Sequence, residues 1–149
     1  MKMFISGTAG FGTNKTLTEL PESVKYFINS YIEQNYDILV GDCMGIDTLV
    51  QQYLNNIGYS NVCVYCSGSR CRNIINPEWN VLHVNVPSGV HGRDFFAIKD
   101  TAMVNDADCA LAIWDGKSKG TGVNISNMRA QNKPVTIFRI DKDYFEGFH

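Results

Sequence analysis

The chain has 149 residues, of which 44% are hydrophobic and 19% charged, a composition that excludes a disordered chain and fits one globular domain. Its formal net charge of −2 gives no long-range attraction to a phosphate backbone, so nucleic acid is not an expected partner. No stretch approaches the ~20 apolar residues of a membrane span, and the apolar run near Met1 is too short for a signal peptide, so we predict a cytoplasmic location and no membrane partner.

Short apolar segments alternate with amphipathic segments along the whole chain. In chain order we predict a strand at 2–6, a polar stretch at 8–18, a helix beginning near 21, a strand at 36–40, a helix at 46–57, a strand at 61–66, a loop at 67–80, a strand at 81–86, a helix at 95–104, a strand at 109–114, a glycine-rich loop at 115–122, a helix to about 132 and a last strand at 134–140. This alternation predicts an α/β fold, a single Rossmann-like three-layer sandwich over residues 1–149 with a mostly parallel sheet.

The five cysteines are odd in number, and in a reducing cytoplasm we expect free thiols. Cys63, Cys66 and Cys71 form a C-x2-C-x4-C cluster that raises the question of zinc. Cys63 and Cys66 are three residues apart in a predicted strand, so their side chains should point to opposite faces. No second C-x2-C pair or closely spaced histidine pair completes a tetrahedral set. We therefore predict no metal site and no cofactor.

Ligands of open parallel sheets bind outside the carboxyl ends of the strands, which directs attention to three strand-to-helix junctions. The first is SGTAGFG at residues 6–12, with Ser6, Gly7 and Thr8 at its start. Glycines after a strand let backbone N–H groups approach a ligand closely, although such a turn is often only a turn.

The second junction is GDCMGID at residues 41–47, with Gly41, Asp42, Gly45 and Asp47 as candidates. Aspartates at this position commonly cap the following helix and interact favourably with its dipole. Carboxylates also accept hydrogen bonds from ribose hydroxyls or from a base amino group, although they repel phosphate. The functional interpretation therefore places a sugar or base at this junction.

The third junction is WDGKSKGTGVN at residues 114–124. Glycines, hydroxyls and lysines between a buried strand and a helix predict an anion cradle for a phosphate, and the alternative is a solvated lysine-rich loop. The segment lacks the P-loop pattern, so nucleoside-triphosphatase chemistry is not indicated. The candidate ligand-binding residues here are Asp115, Gly116, Lys117, Ser118, Gly120, Thr121 and Asn124.

Two further candidates, Arg72 and Asn73, lie in the long loop at 67–80. An arginine fork suits phosphates and stacks on bases, which makes Arg72 a plausible ligand contact. In the same loop Trp79 could stack on a base or could hold the loop against the core, and the sequence leaves both interpretations open.

Four segments in this order resemble the SLOG superfamily: FISGTAG, VGDCMGIDTLVQQYL, VYCSGSRCRN and AIKDTAMVNDADCALAIWDGKSKGTGVNISNM. These Rossmann-like domains are related to the LOG cytokinin-activating enzymes and to the DprA-type DNA-processing domain. The resemblance runs from Phe4 to about Phe138 and is strongest to small stand-alone members. It implies a nucleotide-type small-molecule ligand in the crevice between the three junctions, and a homo-oligomer. DNA binding of the DprA kind conflicts with the acidic charge balance.

One departure from the LOG pattern concerns catalysis. LOG-type enzymes carry a glutamate three residues after Gly-Thr, where this chain has Asn124, and an arginine where it has Lys99, four residues before Met103. Asparagine can hydrogen-bond a ligand, but it cannot be a carboxylate nucleophile or a general base.

Two hypotheses follow, and the sequence leaves open whether the protein is an enzyme. The first is a sensor or binding module that holds a nucleotide-type ligand without turnover. The second is an N-glycosidase or phosphoribohydrolase-like enzyme in which Asp42, Asp47 or Asp115 replaces the missing glutamate.

Overall fold

The computed structural model describes residues 1–8 and 17–146, so most of the polar stretch predicted at 8–18, including the glycines at 10 and 12, lies outside the described residues. Within them strands and helices alternate as predicted. The elements are β1 Lys2–Gly7, α1 Glu22–Ile32, β2 Asp37–Gly41, α2 Ile46–Asn56, β3 Val62–Ser67, β4 Asn80–Val84, α3 Gly92–Asp106, β5 Cys109–Trp114, α4 Lys119–Ala130, β6 Val135–Arg139 and β7 Tyr144–Glu146.

The strands form one sheet in the order β4-β3-β2-β1-β5-β6-β7. β1 to β6 pair in parallel, and β7 pairs antiparallel to β6. The chain runs outward from β1 to β4 on one side and then returns to place β5 on the other side of β1. The predicted α/β fold with a mostly parallel sheet is therefore confirmed, and its topological switch point lies between β1 and β5.

Both faces of the sheet are covered, because neighbouring strand residues pack into different apolar clusters. In β1, Met3 and Ile5 pack with Val24 of α1 and the apolar side chains of α2. Phe4, between them, packs on the opposite face with Met103 of α3 and side chains of α4. This alternation makes the three layers: helices α1 and α2, the sheet, and helices α3 and α4.

Some predicted boundaries differ from the structure. α4 begins at Lys119, so the loop predicted at 115–122 contains the first helical turn. α3 begins at Gly92, before the predicted start at 95. The prediction that the strand at 134–140 is the last one is wrong, because β7 follows it. This three-residue strand depends on contacts that its length does not reveal: Arg139 pairs with Glu146 at 3.0 Å, and the rings of Phe138 and Phe145 lie 5.0 Å apart.

The cysteines are not all free thiols, contrary to the expectation from composition. Cys66, at the end of β3, forms a disulfide with Cys71, and their Cα atoms are 5.2 Å apart. Cys43, Cys63 and Cys109 are free. Cys63 and Cys66 do face opposite sides of the sheet, as their spacing predicts.

Among the described helices, none is long and apolar enough to cross a membrane.

Gly7 should be required for the packing of α2 against the end of β1. A Cβ placed on Gly7 would overlap the side chain of Ile46, the fully buried first residue of α2. We expect Gly7→Ala to lower the free energy of unfolding by about 2–3 kcal/mol, because neither backbone can move without disturbing the core. Denaturant titration measures this change.

The matched control is Gly120→Ala, whose Cβ would lie more than 4 Å from every other element within residues 1–8 and 17–146. Because alanine restricts the unfolded chain, that variant should be unchanged or up to about 1 kcal/mol more stable. Equal stabilities of the two variants would contradict the close approach at Gly7.

Candidate functional site

A cavity of about 390 Å³ lies at the carboxyl ends of β1 and β2, bounded by α3 and the N-terminal turns of α2 and α4. Its position beside the topological switch point is where ligands of such sheets bind, and its volume suits a small molecule. We call it the central cavity. Nine of the sixteen residues predicted as ligand-binding line it: Ser6, Gly7, Gly41, Asp47, Arg72, Ser118, Gly120, Thr121 and Asn124.

Two buried side chains, Asp47 and Lys99, both lie close to Gly41 at the end of β2. Asp47 is 7% exposed and Lys99 is 4% exposed. A Cβ on Gly41 would lie 2.7 Å from Asp47 Oδ2 and 3.4 Å from Lys99 Nζ, so the glycine leaves room for both. Lys99 Nζ also pairs with Asp100 Oδ1 at 2.8 Å. A lysine ammonium therefore stands among two carboxylates in the cavity, and it offsets part of their charge.

Asp47 has an unusual protonation equilibrium. Burial raises its pKa from 3.8 to about 7, although the charge of Lys99 and the hydrogen bond from the Cys43 N–H oppose this rise. That backbone bond, 3.1 Å from Cys43 N to Asp47 Oδ2, orients the carboxyl group within the first turn of α2. A carboxyl group with a pKa near neutrality can act as a proton donor or acceptor as well as a hydrogen-bonding group.

Asn124 connects α4 to β1 and α3. Its Nδ2 donates to Ser6 Oγ at 2.9 Å and to Asp100 Oδ2 at 3.3 Å. An ionised carboxylate can only accept, so the bond to Asp100 fixes which end of the amide carries the nitrogen. Within the described residues the Asn124 Oδ1 accepts no hydrogen bond, and it remains available to a ligand in the cavity.

The first turn of α4 contributes hydrogen-bond donors. The helix begins at Lys119, and the Gly122 N–H makes the first intrahelical bond, to Ser118 O. The earlier N–H groups, at Lys119, Gly120 and Thr121, thus lack intrahelical partners, as at every helix start. Thr121 is only 3% exposed, and its hydroxyl makes no hydrogen bond to any residue that the structure describes. These groups, together with the positive end of the helix dipole, favour an anion.

Arg72 forms one wall of the cavity, and Asp42 holds it there. Asp42 is 1% exposed and accepts bonds from Arg72 N at 2.8 Å, Nη2 at 2.8 Å and Nε at 3.2 Å. The guanidinium lies 3.8 Å from the ring centroid of Phe96, which also lines the cavity. The Asp42 carboxylate is therefore committed to Arg72 and does not itself face the cavity.

Asp115 is committed to a local turn in the same way. It accepts bonds from the N–H of Lys117 at 2.9 Å, the N–H of Ser118 at 2.7 Å and the Ser118 hydroxyl at 3.0 Å. Burial would raise the pKa of Asp115, but these hydrogen bonds to the ionised form lower it. The seven predicted residues that do not line the cavity are Thr8, Asp42, Gly45, Asn73, Asp115, Gly116 and Lys117.

Several of these seven residues instead make hydrogen bonds that connect the elements around the cavity. Thr8 Oγ1 accepts from Asp115 N at 3.2 Å, and Asn73 Nδ2 donates to Thr48 Oγ1 at 2.9 Å.

Trp79 is buried, and its Nε1 donates to Tyr59 O. Of its two interpretations, the structure therefore supports the one in which Trp79 holds the loop against the core.

Sequence reasoning missed the contribution of α3. Arg93, Phe96, Lys99 and Asp100 line the cavity, yet the sequence analysis marked Lys99 only as a departure from the LOG pattern and made none of the four a ligand-binding candidate. Positions 93, 96–97 and 100 recur at helical spacing and so form one face of α3. That spacing was the available signal, but polar residues on a helix face more commonly meet solvent than a cavity.

One group of three side chains has the spacing of a metal site, but all three are already engaged in other bonds. One oxygen of Asp42 and the sulfurs of Cys66 and Cys71 lie within 4.8 Å of one another. The two sulfurs are bonded to each other, and the carboxylate is bonded to Arg72. As they stand, these atoms are not free to coordinate an ion.

The fold and the cavity define an α/β protein with a small-molecule-sized site at the switch point of its sheet. No protein-family model matches this chain, and no curated protein is significantly similar to it. The resemblance to the SLOG superfamily therefore stays a prediction.

Proposed function

We propose that the central cavity binds a nucleotide or a nucleotide-derived small molecule. The observation that carries this proposal is the convergence of unlike groups on one cavity. The first N–H groups of α4, which have no intrahelical partner, and the Thr121 hydroxyl suit a phosphate. The Asn124 Oδ1 and the Asp47 carboxyl suit the hydroxyls of a sugar or the amino group of a base.

The charge of the cavity supports an anionic ligand. Its lining includes four basic side chains and only two acidic ones, although the whole chain carries a net charge of −2. One acidic group, Asp47, is partly neutral near pH 7 because burial raises its pKa to about 7. The stacked pair of Arg72 and Phe96 adds a surface against which a planar base can pack.

A second candidate function, N-glycoside hydrolysis, is favoured by the position of Asp47. Of the three aspartates that could replace the missing glutamate, Asp42 and Asp115 are bonded elsewhere, and only Asp47 lines the cavity. A carboxyl group with a pKa of about 7 suits a general acid or base at neutral pH. Asp100, in the same cavity, supplies a second carboxylate that the sequence reasoning did not consider.

One experiment separates the two functions. Thermal shift is measured with AMP, ADP, ATP, GMP, cyclic nucleotides, NAD, ADP-ribose and deoxynucleotides, and each mixture is then analysed by chromatography for free base. A ligand in large excess over its Kd should raise Tm by several degrees. A shift without base release supports a binding module, and a shift with base release supports the hydrolase.

Adenosine and inorganic phosphate serve as controls in this screen, because each offers only one half of the proposed interaction. Each should give a smaller shift than AMP. Unchanged Tm values with every compound would contradict nucleotide binding. The cytoplasmic location and the homo-oligomer remain predictions alongside this proposal.

A further inference from the structure

We propose that the Cys66–Cys71 disulfide is a redox switch that controls ligand binding at the central cavity by fixing the position of Arg72. This inference rests on the proposed function, since it concerns regulation of the same site. It starts from a position in the chain: Arg72, which lines the cavity, directly follows Cys71.

The disulfide, Asp42 and Arg72 form one contiguous unit. Cys66 is completely buried at the end of β3, and Cys71 is half-buried at the entry to the long loop. A carboxyl oxygen of Asp42 lies within 4.8 Å of both sulfurs, and Asp42 makes three hydrogen bonds to Arg72. A change at the sulfurs therefore occurs next to the carboxylate that positions the cavity wall.

The remainder of the loop does not depend on the disulfide. Gln51 is completely buried, and it donates to Asn73 O at 3.1 Å and accepts from Ile75 N at 2.9 Å. Trp79 is held by its own hydrogen bond to Tyr59 O. Ser67 is paired with β4, and the Gly68 N–H donates to Val84 O at 2.8 Å. Opening the disulfide should consequently release the segment at 69–72 and leave the fold and the rest of the loop in place.

The switching step is thiol–disulfide exchange with a dithiol reductant. The dithiol thiolate attacks the Sγ of Cys71, the less buried sulfur, and the S–S bond breaks with its electron pair going to Cys66 Sγ, which takes up a proton. The second thiol of the reductant then attacks the mixed disulfide and releases Cys71 as a thiol. Two electrons and two protons pass to the protein, and the reductant becomes a disulfide.

Reduction changes the surroundings of Asp42 in two ways. The covalent restraint on the residue before Arg72 is lost, and two S–H groups appear beside a carboxylate that previously had no donor at those positions. Both changes loosen Arg72, so a ligand must order this side chain when it binds. In the cytoplasm, where the sequence predicts this protein, disulfides are typically transient and serve catalysis or redox sensing.

The first test counts thiols. The chain has five cysteines, two of them in the disulfide, so the oxidised protein alkylated under denaturing conditions should take up three labels and the reduced protein five. Uptake of five labels after mild oxidation of the folded protein would overturn the proposal, because no disulfide would then form.

The second test measures the Kd of AMP, or of the tightest nucleotide in the screen, for the oxidised protein and for the protein reduced with dithiothreitol. Ordering one long side chain should weaken binding by about threefold to tenfold in the reduced form. Cys71→Ser, a change at the half-buried position, should bind like the reduced protein and should not respond to dithiothreitol.

Cys63→Ala and Cys109→Ala are the matched controls, since both residues are free cysteines that do not line the cavity. Each should keep the redox response of the wild type. Equal Kd values for the oxidised and reduced wild type would overturn the switch and leave nucleotide binding standing. Absence of binding in both forms would contradict the proposed function and, with it, the control of that site.

Discussion

Asp47→Asn should make the folded protein more stable, and the gain should be about 2–3 kcal/mol larger at pH 8 than at pH 5, as follows from a pKa of 3.8 in the unfolded chain and about 7 in the folded one. Between these two values the folded protein binds more protons than the unfolded chain. The contribution of Asp47 to the free energy of unfolding therefore falls as the pH rises from about 4 to about 7, and it stays at that lower value above pH 7. Asparagine carries no charge at any pH, so this loss disappears.

The substitution keeps the local hydrogen bond, because an asparagine oxygen can accept from the Cys43 N–H as the carboxylate does. Lys99 also keeps its ion pair with Asp100. Denaturant titrations of both proteins at pH 5 and pH 8 give the double difference, in which the titration of all other groups cancels.

Asp37→Asn is the matched control, since this carboxylate is exposed at the start of β2. The double difference of Asp47→Asn is compared with that of Asp37→Asn, in which the carboxylate removed is exposed rather than buried. Equal double differences for the two variants would show that burial does not perturb the Asp47 carboxyl group, and would weaken the case for Asp47 as a proton-transfer group.

Gly120→Val should reduce nucleotide binding about 100-fold and leave the fold intact, as expected for about 3 kcal/mol of steric overlap between the new side chain and a bound ligand. Gly120 lines the cavity in the first turn of α4, and its Cβ would meet no atom of another described element within 4 Å. The valine methyl groups therefore enter the space in which we place the phosphate. Calorimetric Kd values, with Tm as the check on folding, measure both parts of the prediction.

Gly122→Ala serves as the control in the same helix. Gly122 does not line the cavity, and its Cβ would make only an ordinary contact, 3.4 Å from Trp114 Cζ2. This variant should bind the nucleotide like the wild type. If Gly120→Val also binds normally, the ligand does not approach the start of α4, and the cradle assignment is wrong.

The sequence predicted the location of the candidate site better than the role of each residue in it. The three junctions were found because glycines and polar residues follow apolar strands, and side chains from each of them line the cavity. Asp42 and Asp47 looked equivalent in the sequence, five residues apart beside the same helix. The structure separates them, because Arg72 comes from a loop thirty residues away and occupies Asp42, whereas Asp47 is left in the cavity.

Local pattern by itself determined the α/β fold class and the edge of the sheet at which a site should be sought. Strand and helix periodicity reflects burial of each element, which nearby residues encode, and the carboxyl ends of parallel strands must share one edge. Residues an odd number apart in a strand point to opposite faces of the sheet, and this rule correctly separated Cys63 from Cys66.

Only the tertiary structure decided which polar groups are satisfied and which remain free. The Cys66–Cys71 bond, the pairing of Asp42 with Arg72 and the raised pKa of Asp47 depend on contacts and burial between elements distant in the chain. Polar residues such as Lys99 and Asp100 on α3 are typical of a solvent-exposed helix face, and only the tertiary structure shows that they line the cavity. Chemical character depends on surroundings, and the surroundings are set by packing rather than by the neighbouring sequence.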